Sequence, residues 1–129
     1  MKANELRIGS IIKSLVNDEE FSIVEEIGYR ASLGYYVSLN NQHSGVWLQH
    51  QERDLILGIP LTEEWLLRMG FEKSDNYGND EYRLDGYSYF RGRFYISDCD
   101  ECGEDVEINF VHELQNLYFA LTKKELTMK

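Results

Sequence analysis

Two short turns constrain the second half of this chain more than any other sequence feature. The pair Asp85-Gly86 is a strong two-residue hairpin signal, and Arg91-Gly92 is a weaker one. The strand pairings that these two turns impose agree with each other. Both place the same apolar set on one face of a predicted antiparallel meander: Tyr82, Leu84, Tyr87, Tyr89, Phe94 and Ile96. A slip of one residue would move this whole set into water, so we predict that this face is the core.

The opposite face of the predicted meander is the candidate binding surface. The same pairings place four side chains there, which we call the arginine–aromatic face: Arg83, Phe90, Arg93 and Tyr95. Arginine and aromatic side chains on an exposed sheet face are typical of partner interfaces and of surfaces that stack on bases. The alternative is that this face packs against the N-terminal part of the chain or against a second copy, and the sequence leaves both readings open.

The first half of the chain has the pattern of a small β-structure. Apolar and polar side chains alternate in four short segments, separated by turn residues: 8–15, 21–27, 35–39 and 46–48. Alternation with turns spaced about 8–12 residues apart is typical of a small barrel or a curled antiparallel sheet. We therefore expect an SH3-like β-barrel unit over residues 1–60.

Two helices are predicted, one before and one after the meander in the sequence. Thr62 is a favourable N-cap for a short helix over 63–69, and Gly70 suits the left-handed position that follows its last turn. Apolar residues recur at helical spacing again over 112–121. The expected fold class is therefore α+β. The SH3-like unit is followed by a four-stranded antiparallel meander flanked by two helices, and this second unit covers 61–129 and shares one core with the first.

Charge and composition limit the class of partner and the compartment. The net charge is −10, and nonspecific binding to a nucleic acid backbone needs clustered lysine and arginine, so we do not expect that activity. No run of about 18 apolar residues is present, and the N-terminus has no apolar signal segment, so no membrane association is expected. With only two cysteines a disulfide scaffold is not predicted, and we expect a cytoplasmic protein.

The pair Cys99 and Cys102 has the spacing of half a zinc site. A closed structural site needs four ligands, and the chain offers only three histidines besides: His43, His50 and His112. Two chains could supply four thiolates across a dimer, but the sequence favours a pair of loop thiols. The same loop, from Asp98, begins with the spacing of a calcium loop, but Asn109 stands where the closing Glu should be. We therefore expect no metal and no other cofactor.

No catalytic constellation is visible in the sequence. No Ser, Cys or Lys nucleophile lies in a known local context, and no glycine-rich phosphate loop is present. His112 could act as a base, but it lies where a predicted strand gives way to a helix, and a structural histidine in the first helical turn explains it. We therefore expect that the chain is not an enzyme. A small enzyme whose catalytic site has no known motif stays open as a third reading.

Three segments of the chain carry a family resemblance. They are residues 1–9, the stretch IPLTEEWLLRMGF at 59–71 and the stretch VHELQNLYFALT at 111–122. These segments resemble a group of short, uncharacterised proteins encoded by gut Bacteroidales, their phages and other mobile elements. The resemblance implies a phage or mobile-element accessory protein, and it carries no catalytic residue over to this chain.

Two functional hypotheses from different classes follow. The first is a non-catalytic binding protein that sequesters a host protein or a small signalling ligand, for example to inhibit a defence system, with the arginine–aromatic face as the contact surface. The second is a structural or assembly module that acts through self-association, so that its partner is a second copy of the chain.

The cysteine pair yields a testable prediction. Because no second pair of ligands accompanies Cys99 and Cys102, we expect that Cys99→Ser leaves the fold intact and that the purified wild type carries well under one zinc per chain. Metal analysis by mass spectrometry and a thermal melt measure these two quantities. Cys102→Ser is the matched control and should melt at the same temperature. Stoichiometric zinc, lost together with folding in either variant, would show that the pair is a structural metal site.

Overall fold

The computed structural model describes six stretches of the chain: residues 1–48, 54–74, 81–84, 87–90, 92–95 and 105–128. Within them a short 3-10 turn over Ala3–Glu5 precedes ten strands and two helices. The strands are β1 (Ile11–Ser14), β2 (Ser22–Arg30), β3 (Gly34–Leu39), β4 (Val46–Trp47), β5 (Ile56–Leu57), β6 (Glu72–Ser74), β7 (Glu81–Leu84), β8 (Tyr87–Phe90), β9 (Arg93–Tyr95) and β10 (Asp105–Glu107). The helices are α1 (Glu63–Arg68) and α2 (Val111–Thr122). The strands form two antiparallel five-stranded sheets, which confirms the α+β class. No helix in these stretches is long and apolar enough to cross a membrane.

The first sheet belongs to a compact unit made of Met1–Pro60 and Phe110–Glu125. Its strand order is β4-β3-β2-β1-β5. Its core is an aliphatic cluster: Leu6, Ile12, Val24, Val37, Leu39, Val46, Leu48 and Ile56. Burial of each of these side chains stabilises the fold by roughly 1.5–3 kcal/mol. β4 and β5 are the two edge strands of this sheet, and no pairing between them is found among the described residues. The expected SH3-like closed barrel is therefore not confirmed.

Strand β2 differs from its predicted pattern because it contains a β-bulge. The sequence predicts that Ile23 and Ile27 share one face, but the structure buries Val24 instead of Ile23. The register between β2 and β3 shifts between Val24 and Glu26, and Ile27 then pairs with the buried Val37. One extra residue in the strand therefore returns Ile27 to the core face, which simple alternation does not reveal.

Helix α2 packs on β1 within this first unit, although the sequence places it in the second unit beside the meander. Its buried side combines apolar residues with two polar ones: Val111, His112, Leu114, Gln115 and Tyr118. The Gln115 side chain accepts a hydrogen bond from the Ile11 N–H at 2.7 Å and donates one to the Gly9 carbonyl at 2.9 Å. These two bonds satisfy backbone groups at the point where the chain enters β1.

A second set of polar contacts joins the same N-terminal segment to α2 through Arg7. Its guanidinium donates to Asn116 Oδ1 at 3.0 Å and to the Gln115 carbonyl at 3.2 Å. It also pairs with Glu125 at 2.8 Å and lies 4.2 Å from the centroid of the Phe119 ring. The planar guanidinium fork can bond several acceptors at once, so one side chain fixes the helix against the segment that leads into the sheet.

Helix α1 begins and ends as the sequence predicts. Thr62 accepts a hydrogen bond from the Trp65 N–H through its side-chain oxygen at 3.4 Å. At the other end Gly70 has a φ of +97°, and the Phe71 N–H donates to the Leu66 carbonyl at 3.0 Å. This is the geometry of a Schellman motif, in which a glycine in the left-handed region closes the last helical turn. Phe71 is buried, as an apolar residue after such a cap commonly is.

The second sheet lies in a compact unit made of Leu61–Asn109 and Leu126–Lys129, with the order β10-β9-β8-β7-β6. Its central pairings are the predicted ones: Leu84 with Tyr87, Arg83 with Ser88, Tyr82 with Tyr89, Phe90 with Arg93, Tyr89 with Phe94, and Ser88 with Tyr95. Ile96 lies outside the described residues. The sequence does not predict β6, because its three residues are polar and show no alternation.

The contacts of Gln115 generate a stability prediction. Gln115→Leu keeps a similar volume but leaves the Ile11 N–H and the Gly9 carbonyl without their partner, so the free energy of unfolding should fall by about 1–3 kcal/mol. Urea denaturation followed by circular dichroism measures this change. The matched control is Asn4→Leu, which replaces an exposed amide, and there the loss should be about 0.5 kcal/mol or less. Equal losses in the two variants would contradict the role given to Gln115.

Candidate functional site

The register of the second sheet assembles the arginine–aromatic face. Arg83 lies opposite Ser88, and Ser88 lies opposite Tyr95. In the neighbouring row, Phe90 pairs with Glu81 on one side and with Arg93 on the other. Directly opposed residues in an antiparallel sheet point to the same side, so the four predicted side chains share one face of β7, β8 and β9.

The side chains of this face differ in how far water reaches them. Arg83 and Arg93 are exposed, whereas Phe90 and Tyr95 are half-buried. More than half of the Arg83 side chain is accessible, at 56%. An arginine that is internal to a packed layer would be almost fully covered, so water reaches the cationic part of the face.

Glu81 is a member of this face that sequence reasoning treats only as a polar neighbour. It retains 4% of its exposure, although it lies in the same row as Phe90 and Arg93. Its Oε1 accepts a hydrogen bond from Arg83 Nε at 2.8 Å, and its Oε2 is buried with no hydrogen-bond partner. A buried carboxylate oxygen without a partner costs free energy, so a donor supplied from outside the chain would stabilise it.

The charge of the face is mixed and not basic. Glu72 lies opposite Arg83 on β6, and Glu107 lies opposite Arg93 on β10. With Glu81, three carboxylates therefore accompany the two arginines. The sequence does not predict β6, so the carboxylate of Glu72 joins the face only in the structure. A polyanion is a poor match for such a surface, and a surface that offers both donors and acceptors is a good one.

The weak metal candidates Cys99 and Cys102 lie outside the described residues, as does His50. Among the residues that the structure does describe, no group of three His, Cys, Asp or Glu side chains is arranged to hold a metal ion. Asn109 follows β10 and is exposed. The expectation that the chain has no metal site stays a prediction.

His112 lies in the first turn of α2 and is buried. Its ring stacks on that of Phe110, with the ring centroids 5.8 Å apart. Burial lowers the pKa of His112 below its ordinary value, and the nearby carboxylates of Glu113 and Glu5 oppose that effect. Removal from water dominates because it disfavours the charged imidazolium. This histidine is therefore a buried, neutral group at a helix start, as the structural reading of the sequence expects.

Comparison of the chain with family models, with curated proteins and with solved structures finds no match. The resemblance to proteins of gut Bacteroidales and their phages therefore stays a prediction, and the arguments for function rest on the geometry described above.

The lowered pKa of His112 predicts a pH dependence. The unfolded chain takes up a proton at this residue near pH 6.5, whereas the folded chain resists protonation until a lower pH. The folded state then binds fewer protons, so the free energy of unfolding falls as the pH drops below about 6.5. His112→Gln removes this contribution, and its stability should fall less steeply between pH 7 and pH 5 in urea titrations. His43→Gln, at an exposed histidine, should keep the wild-type slope. Parallel curves for wild type and His112→Gln would contradict the prediction.

Proposed function

We propose that this chain is a non-catalytic binding protein that recognises a protein partner through the arginine–aromatic face. The observation that carries the proposal is the composition of that face. Two exposed arginines, two half-buried aromatic rings and a buried carboxylate with one unbonded oxygen lie together on three paired strands. Interfaces of protein complexes are enriched in the same residue types, with aromatic and arginine side chains as the main contributors to affinity.

The chemistry of the face defines the kind of partner that it fits. Phe90 and Tyr95 offer apolar ring surface, which loses contact with water when a partner covers it. Arg83 and Arg93 can donate charge-assisted hydrogen bonds to carboxylates or backbone carbonyls. Glu81 Oε2 requires a donor, such as a backbone N–H or a basic side chain. A polypeptide surface supplies all three kinds of group.

The sheet gives this surface its rigidity. Neighbouring strands lie about 4.8 Å apart and hold the side chains of one row at fixed spacing. The buried side of the same strands includes Tyr82 and Phe94, which retain 7% and 0% of their exposure. Because the opposite side is packed in this way, little conformational entropy is lost in the backbone when a partner binds.

The biological setting of the proposal rests on the resemblance of residues 1–9, 59–71 and 111–122. It supports an accessory protein of a phage or mobile element that acts in the bacterial cytoplasm and sequesters a host protein, for example a component of a defence system. In this proposal the first unit is an SH3-like barrel. The absence of a known catalytic motif in the sequence supports a binding role over an enzymatic one.

A different surface supports the second candidate, a module that assembles through self-association. At the end of the β2–β3 hairpin Tyr29 and Tyr35 remain 60% and 49% exposed, and their ring centroids lie 4.8 Å apart. Leu33, in the connecting turn, is 48% exposed. An exposed group of apolar and aromatic side chains is typical of a contact surface, and two copies of the chain could cover it.

The two candidates separate in one paired experiment. Arg93→Glu with Tyr95→Ala alters the arginine–aromatic face, and the matched control Arg30→Glu with Tyr29→Ala makes the same two changes on the hairpin. Tagged proteins are used to capture partners from a Bacteroidales lysate, and captured proteins are quantified by mass spectrometry. The first variant should lose a specific partner that the wild type and the control retain. Its free energy of unfolding should fall by only about 1 kcal/mol, because Arg93 is exposed and Tyr95 is half-buried.

Other outcomes decide against the proposal. If native mass spectrometry shows a homo-oligomer that only the hairpin variant disrupts, and no partner depends on Arg93 and Tyr95, the assembly module is the better reading. If the first variant loses several kcal/mol of stability, the face is internal packing, because an unpaired charge has been buried there.

A further inference from the structure

A cavity in the first unit, remote in sequence from the arginine–aromatic face, lies at the start of α2. Its volume is about 170 Å³. It is lined by the N-terminal segment, the end of β5 and the first turn of α2: Met1, Glu5, Asp54, Ile56, Leu57, Gly58, Phe110, His112 and Glu113. A water molecule takes up about 30 Å³ in the liquid, so the space corresponds to roughly five waters or to a short alkyl chain with a polar head.

His112 lines this cavity and carries a buried polar atom that the chain leaves unsatisfied. The residue retains 3% of its exposure, and its Nδ1 atom is buried with no hydrogen-bond partner. Burial lowers the pKa of His112 and so favours the neutral imidazole, in which one ring nitrogen donates and the other accepts. With the proton on Nε2, Nδ1 is the acceptor. Buried polar atoms in native proteins nearly always have a partner, which makes this nitrogen the strongest indication of a ligand at the cavity.

The charges around the cavity indicate the kind of ligand. Three carboxylates line it, those of Glu5, Asp54 and Glu113. The α-ammonium group of Met1 also lines it and pairs with Asp54. The lining therefore has an excess of two negative charges over positive ones, which attracts a cation and repels an anion. One oxygen of Glu5 accepts from the Lys2 N–H at 2.7 Å, and one of Glu113 accepts from the Phe110 N–H at 3.0 Å, so backbone bonds hold both carboxylates in place.

Gly58 keeps the space beside His112 open. A Cβ atom at this position would lie 2.9 Å from His112 Cε1 and 2.9 Å from the Phe110 ring. Any larger residue would therefore displace the two stacked rings or fill the cavity. The backbone approaches the imidazole edge closely only because the residue is a glycine.

We propose that this cavity binds a primary ammonium group, which donates a hydrogen bond to His112 Nδ1 and lies between the carboxylates of Glu5 and Glu113. The group can come from a small alkylamine or from the side chain of a lysine in another protein, since both present the same head on a short alkyl chain. A divalent cation fits less well, because no three metal-ligating side chains among the described residues are arranged to hold a metal ion. An apolar guest would leave Nδ1 unsatisfied.

The test is a titration of the full chain at pH 7.5 with n-butylammonium chloride, followed through the imidazole proton resonances of His112. Saturable shifts with a single site are expected. Glu5→Gln with Glu113→Gln keeps both backbone hydrogen bonds and removes the excess charge, so the dissociation constant should rise by roughly tenfold or more. The matched control, Glu19→Gln with Glu25→Gln, removes two exposed carboxylates and should bind as the wild type does. If the first double variant does not fold, Glu5→Gln alone should still weaken binding.

Two further probes identify the source of the ammonium group. If Nα-acetyl-lysine-N-methylamide binds as tightly as n-butylammonium or more tightly, the cavity accepts a lysine side chain. If only the small amine binds, the ligand is a free amine. Butyramide, a neutral analogue of similar size, should not shift His112.

The proposal is overturned if n-butylammonium gives no saturable shift of His112, or if butyramide competes with it equally. It is also overturned if Glu5→Gln with Glu113→Gln binds the amine as tightly as the wild type does. The cavity would then hold only water, bonded to Nδ1.

Discussion

One polar side chain, that of Gln115, joins the two ends of the first unit. Its amide bonds the chain on both sides of the entry to β1, at the Ile11 N–H and the Gly9 carbonyl, across more than 100 residues of sequence. β1 lies between β2 and β5, so its position determines where the rest of the sheet can pair. The Gln115 side chain is only 1% exposed, so water cannot replace these two hydrogen bonds. The position of α2 and the position of β1 therefore depend on each other. Arg7, in the segment that leads into β1, donates two further hydrogen bonds to α2 and so strengthens the same contact.

Local features of the sequence predict local features of the structure well. The sequence pair Asp85-Gly86 predicts the register of β7 and β8, and Thr62 and Gly70 predict both ends of α1. These signals act over a few residues, so their outcome does not depend on the rest of the fold. The phase of α2 is harder, because the apolar Leu117 is only half-buried whereas the polar Gln115 is buried. Hydrophobic spacing cannot identify a polar residue that is buried by a partner more than 100 residues away.

The candidate binding face, too, follows from the sequence only in part. Its arginine and aromatic members follow from strand pairing, since direct neighbours across an antiparallel sheet share a side. The burial of Glu81 does not follow, because it depends on tertiary surroundings and not on the register. The mixed charge of the face depends in turn on β6, whose polar residues Glu72, Lys73 and Ser74 carry no periodic signal. The carboxylate of Glu72 therefore becomes part of the face only when the structure is known.

The strongest link between fold and function is a pair of unsatisfied atoms. Among the described residues, Glu81 Oε2 and His112 Nδ1 are buried side-chain atoms without a hydrogen-bond partner. Each costs about 1–3 kcal/mol relative to a satisfied group, which is a substantial fraction of the stability of a small protein. Elsewhere the chain satisfies buried polar groups over long distances, as Gln115 does, so it has the means to avoid such costs. Violations of this kind concentrate at functional sites, where a ligand or partner supplies the missing bond. The Glu81 oxygen accepts hydrogen bonds, and His112 Nδ1 does so when the imidazole proton lies on Nε2, so a donor would then satisfy either atom. Because one atom belongs to each compact unit, a donor at either site can stabilise its own unit without the other being occupied.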